Sequence, residues 1–162
     1  MFMTSTPDDA TVETVKYYLS RADHILVRLS DETDPDTLLA VRIAPDMFDT
    51  GFNFAIAIQF AARALCPPAG LDVPEIPDRY TCETLRKFAD EIADLIAPIR
   101  ATDLVRDVSH AAGDAELCQT AADYVTRFAL PNMIFHLSLA YAGLRHGGMD
   151  IGKADFDGLH RY

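Results

Sequence analysis

Val12, Val15, Leu19, Ala22, Leu26 and Leu29 recur at alternating steps of three and four residues. A chain with that spacing hides its apolar surface by forming an amphipathic helix and laying the stripe against another helix. Glu13, Lys16, Ser20, Asp23 and Arg28 fall off the stripe, and so does His24, read as a boundary or solvated side chain. Thr6 serves as the expected N-cap, with Pro7 at the first helical position and Asp8 and Asp9 where the helix dipole favours anions.

The segment FNFAIAIQF at 52–60 alternates like a strand, yet it continues through AARAL with no turn signal. It therefore reads as a second helix from Asp46 to Leu65, entered at Pro45 and stopped by the prolines of CPPAG at 66–70. Thr81 caps a third helix whose seam is Leu85, Phe88, Ile92, Leu95 and Ile99, with Glu83 in its first turn and Pro98 at its end. Val105 to Ser109 and Glu116 to Gln119 pair as a small hairpin across AAGDA. Thr120 and Asp123 form a capping box for a short helix through Ala129, Pro131 opens the last long helix, and Gly147 with Gly148 ends it. Four long apolar-faced helices imply an all-α four-helix bundle. The connections around the second helix, about 15 residues each, can reach about 50 Å when extended, so neighbouring helices are free to run parallel.

At 162 residues and 49% hydrophobic content, a single domain spanning 1–162 with one core is expected. The longest apolar runs are interrupted by polar residues too early for a membrane span, and the N-terminus lacks a basic-then-apolar leader, which points to the cytoplasm. A net charge of -11 argues against nucleic acid and anionic membranes as partners. Cys66, Cys82 and Cys118 are odd in number and lack CxxC spacing, so they read as reduced thiols and neither a disulfide framework nor a zinc knuckle.

RIAPDMF at 42–48, FALPNMIFHLSLAYAGLRHGG at 128–148 and GKADF at 152–156, in that order, resemble the bacterial and fungal domain-of-unknown-function family numbered nineteen ninety-three. That family resembles a branch of the DinB/YfiT-like superfamily of metalloenzyme type. The resemblance implies a four-helix bundle in which helices two and three are parallel, and it carries no reaction. Metal-binding members of the superfamily use a histidine on the second helix and an HxxxH pair on the fourth, where residues four apart stand about 6 Å apart on one face. Here His136 is present, but Ala140 and Asn132 occupy the positions four away, His146 lies about 15 Å further along, and the second helix has no histidine. No cofactor is expected; what would remain for a divalent metal is a degenerate Asp46/His136 site.

On the last helix Asn132, His136, Gly143 and His146 fall within a strip about 80° wide, with Tyr141 and Arg145 opposite. Asp46 and Asn53, seven apart, share a face of the second helix. If the two faces meet, an otherwise apolar bundle holds a polar pocket lined by Asn53, Asn132, Gly143 and His146 around a catalytic His136, with Asp46 setting its tautomer and raising its pKa above about 6.5. Such a pocket would serve an unknown small-molecule ligand. The competing reading makes the same groups a packing device in a structural or interaction module. Either way a homodimer is expected, because the second helix is rich in Phe and Ile around most of its circumference.

Overall fold

The computed structural model describes residues 7–162. Helix α1 (Asp9–Ser30) is followed by a short α2 (Pro35–Leu39), then α3 (Thr50–Ala69) and α4 (Cys82–Ile96). A hairpin of β1 (Val108–Ala112) and β2 (Ala115–Gln119) leads through α5 (Ala121–Asp123) and a π-helical stretch, Tyr124–Ala129, into α6 (Leu130–His146) and a short α7 (Lys153–Asp157). The chain is thus mostly helical with a small two-stranded sheet, as the periodicities require. All six residues of the α1 stripe are buried, as are Leu85, Phe88 and Ile92 of α4. Helix α3 packs on α1, α4 and α6, and it runs opposite to α6, since Asn53 meets His136 near one end while Phe60 meets Phe128 further along.

Several element ends differ from expectation for identifiable reasons. Thr6 lies outside the described residues. The cap of α1 is Asp8, whose carboxylate accepts from the Thr11 amide at 2.8 Å, so Pro7 precedes the helix. Helix α3 starts at Thr50 because Asp49 caps it, accepting from the Phe52 amide at 2.8 Å; Asp46 is left on an exposed turn before the helix. Pro67 and Pro68 sit inside its last turn without ending it. The stop is Gly70 at φ 77°, a left-handed cap position that glycine takes without strain. The hairpin pairs Val108 with Gln119, shifting the first strand three residues later than expected and putting Gly113 and Asp114 in the turn.

The expected break before the last helix is also absent. Thr120 caps α5 by accepting from the Asp123 amide at 3.3 Å, and the backbone then continues helically past Pro131. In an α-helix the Pro131 ring would press on the carbonyl four residues earlier. The preceding turn is wider, with the Leu130 amide reaching the Val125 carbonyl, five residues back, which makes room for the ring.

Helix α3 is not the uncovered apolar face on which the dimer expectation rested: most of its circumference, including Phe54, Ile58 and Leu65, is buried by neighbouring helices. Cys66 and Cys82 are buried thiols, Cys118 is exposed, and burial pushes the Cys66 thiol up to about 11. Among the described residues, no helix is long and apolar enough to cross a membrane.

The GKADF segment forms a clasp on α1. Asp155 accepts from Arg28 at 2.8 Å, from the Gly152 amide at 2.9 Å, and lies 3.1 Å from Nε2 of His24. Arg21 donates to the Asp155 carbonyl at 2.7 Å, and Phe156 packs between Tyr18 and Tyr141. The Tyr141 and Arg145 side of α6 therefore braces the C-terminal tail, Arg145 donating to the Met149 carbonyl at 3.2 Å.

Candidate functional site

The motif RIAPDMF builds the entrance to α3. Arg42 donates to the Met47 carbonyl and pairs with Asp49 at 4.0 Å, while the Thr50 amide and hydroxyl both donate to the Val41 carbonyl at 2.9 Å. One turn into the helix stands Asn53, 3% exposed. Its Nδ2 donates to the carbonyls of Asp49, at 2.9 Å, and Phe48, at 3.3 Å. Those two acceptors fix the amide orientation, because the flipped amide would set its oxygen against two carbonyl oxygens.

Asn53 Oδ1 lies 2.9 Å from Nδ1 of His136 on α6. An amide oxygen can only accept, so Nδ1 of His136 carries the proton and Nε2 keeps its lone pair in the neutral ring. Nε2 makes no hydrogen bond among the described residues. Burial, and then the positive charge of Arg63, hold the His136 pKa below its usual value. This reverses the expected elevation, for which Asp46 would have had to face the ring. A buried amide occupies that place: it fixes the tautomer as a carboxylate would, without stabilising the imidazolium.

His136 opens onto a cleft of about 360 Å³. Phe52, Ile56, Phe60 and Arg63 supply one wall at the helical spacing of α3, and Phe128, Asn132 and His136, four apart, supply the other. Phe48 and the hairpin tip, Ala111 to Gly113, complete it. The Arg63 guanidinium lies over the Phe60 ring at 4.3 Å and 5.8 Å from that of Phe128, and the Phe60 and His136 rings are nearly parallel, 14° apart in plane. The hairpin is held against the π-helical stretch by His110, whose ring meets Phe128 at 4.2 Å and Tyr124 at 4.9 Å while Nε2 pairs with Gln119 at 2.7 Å. Elsewhere among the described residues, an apolar groove of about 270 Å³ between α1 and α4 and a polar trough of about 660 Å³ beside Thr81 and Arg86 contain no histidine, and a third pocket, on the hairpin, is lined by His110.

The structure therefore brings Asn53, Asn132 and His136 together and leaves three expected residues aside. Asp46 does not line the cleft. His146 is exposed in the last turn of α6. Gly143 is buried where α6 closes on α3: a β-carbon there would overlap Thr50 Oγ1 and sit 3.2 Å from its Cβ, so this glycine sets helix spacing and makes no pocket wall. Asn132 spends its Nδ2 on the Phe128 carbonyl, 2.7 Å away, and presents the remainder of its amide to the cleft. Sequence reasoning passed over Arg63, although a lone charge in the otherwise apolar α3 is a legible signal. It also passed over the hairpin tip, which no local pattern assigns to the cleft.

A metal of the superfamily type does not fit this donor set. Around His136 stand two carboxamides and a guanidinium, and among the described residues no three His, Cys, Asp or Glu side chains gather.

The helical scaffold places this chain in a known class of folds. It is similar to a crystal structure of a DinB family member protein from Shewanella denitrificans, with a TM-score of 0.81 and 24% identity over 95% of this chain and 93% of that one. Residues 8–157 match the family described as Domain of unknown function (DUF1993), and the chain belongs to that family. No curated protein matches it.

Proposed function

We propose that this is a cytoplasmic, metal-independent protein that binds a small molecule in the His136 cleft, with the neutral imidazole as proton acceptor toward the ligand. The observation that carries the reading is the Asn53–His136 hydrogen bond. That bond puts the proton on Nδ1 and leaves Nε2 unprotonated, the state a general base or acceptor toward a ligand needs, on a ring that lines the cleft. The acid/base role belongs to His136, positioned by Asn53, and Asp46 has no part in it. The scaffold we take to be a four-helix bundle with α3 and α4 parallel; in support, Tyr80, just ahead of α4, packs at the start of α3 against Gly51 and Phe52.

NMR of ring-labelled histidines tests this reading. His136 is expected to show the Nδ1–H tautomer and to titrate below about 6.5. Its unfolded form binds the proton first, so this group's contribution to stability is complete above about 6.5 and falls as pH drops through that value toward the folded pKa. Asn53→Ala should release the tautomer and cost about 1–3 kcal/mol by leaving the ring N–H without its partner. An Nε2–H tautomer, or a titration above the reference, would sink the proton-acceptor role.

A second reading, a homodimeric interaction module, rests on Phe48 and Phe135, 60% and 58% exposed. Light scattering at about tens of micromolar should give a dimer that Phe135→Asp dissociates. A monomer throughout that range counts against it.

A further inference from the structure

We infer that the His136 cleft selects a small carboxylate with a flat apolar body, held by its charge on Arg63; the inference rests on the ligand-binding reading above and names the class of ligand. Among the described residues, Arg63 is the one charged residue in the wall of the cleft, which contains no carboxylate, although the chain as a whole holds 25 acidic against 14 basic residues. Its guanidinium makes no ion pair among the described residues; it lies against the rings of Phe60 and Phe128, with the Tyr124 hydroxyl nearby. Stacking occupies the face of a guanidinium and leaves the N–H groups, which lie in its plane, directed to an acceptor at the edge. A carboxylate matches that edge with two parallel hydrogen bonds.

The rest of the wall describes the remainder of the ligand. Phe52, Phe60 and Phe128 offer ring surfaces, and the plane of His136 follows that of Phe60. A flat body lying between them would bury apolar area while keeping its edge in reach of the Nε2 lone pair. The volume of about 360 Å³ is at the small end of ligand sites. Bare phosphate would satisfy Arg63 and waste the aromatic wall; a neutral ring would fill the wall and leave the cation unpaired.

The test uses the intact, isotope-labelled protein, with the His136 ring signals followed during titration with sodium benzoate, benzamide and inorganic phosphate. Benzoate should bind at least roughly tenfold more tightly than benzamide, the value of one charge-assisted hydrogen bond. It should also bind more tightly than phosphate. R63M should abolish the benzoate preference and R63K should retain part of it. If R63M does not fold, as judged by its thermal melt, R63Q makes the same comparison. Equal binding of benzoate and benzamide, or a preference that survives in R63M or R63Q, overturns the carboxylate assignment and leaves the pocket standing. Phosphate binding as well as benzoate overturns the apolar body. No movement of the His136 ring with any probe overturns the inference together with the binding reading beneath it.

Discussion

Gly143→Ala should destabilise this protein by about 1–3 kcal/mol, although alanine is the better helix former by about 1 kcal/mol. The added methyl has nowhere to go. It would overlap the Thr50 hydroxyl, which donates to the Val41 carbonyl at 2.9 Å, and it would stand 3.2 Å from the Thr50 Cβ. Rotating the hydroxyl away breaks a buried hydrogen bond worth about 1 kcal/mol, and separating the helices disturbs the α3–α6 interface along its length. The Asn53–His136 bond lies two turns along the same interface, so the His136 ring signal should move as well. Urea unfolding of G143A, T50A and the double variant measures the effect. The double variant should recover part of the loss, giving a coupling above about 0.5 kcal/mol. A neutral or stabilising G143A would mean that the two helices have slack at this point.

Asp155→Ala should cost about 2–3 kcal/mol, lowering Tm by roughly 5–10 °C. Its carboxylate is the hub at which Arg28, His24 and the Gly152 amide converge, and its removal unfastens α7 from α1. Partial burial opposes its charge, but the hydrogen bonds from Arg28, Gly152 and His24 and the nearby guanidinium charge hold the carboxyl down to about 2. The folded pKa is thus below the unfolded one. The stabilisation is present above about 3.9 and is lost as pH falls toward 2, so the difference between wild type and D155A should narrow across that window. Thermal melts from pH 7 to the acid limit measure it; a gap independent of pH would assign the cost to packing and not to the charge. Because the clasp touches α1 and not the cleft, D155A should leave the His136 ring signals of the folded protein in place.

The helices were legible because the sequence repeats their physics locally. The α1 stripe, the Thr81 cap and the first part of the α4 seam, Leu85, Phe88 and Ile92, each set a period or a hydrogen bond within a few residues of chain, and the structure keeps them. Helix α4 ends at Ile96 and leaves Ile99 outside it. Helix ends were legible only where one capping candidate stood alone. The sequence starts α3 at Asp46, but Asp49 also carries a capping carboxylate, and the helix begins after Asp49 because Thr50 is tied to Val41 and Arg42 to Met47, contacts between segments that no helical period encodes. The wide turn before Pro131 was hidden for a related reason: a proline can end a helix or be absorbed by it, and the packing of Tyr124 and Phe128 under the hairpin keeps the helix continuous.

The site divides the same way. By itself the sequence determined that Asn132 and His136 share a face of one helix, which follows from 3.6 residues per turn. Only the tertiary structure decided which residue of α3 meets the histidine. Placed on one extended helix, Asp46 and Asn53 share a face and the carboxylate reads as the partner; with the helix beginning at Thr50, Asn53 is buried one turn in and Asp46 stays in solvent. Exchanging the anticipated carboxylate for an amide reverses the direction of the His136 pKa, because an amide orients the imidazole without compensating the cost of burying its charge. The partner of a side chain is a property of how two helices dock, and docking depends on the Thr50–Gly143 contact and the loop before α3, which lie far apart in the chain.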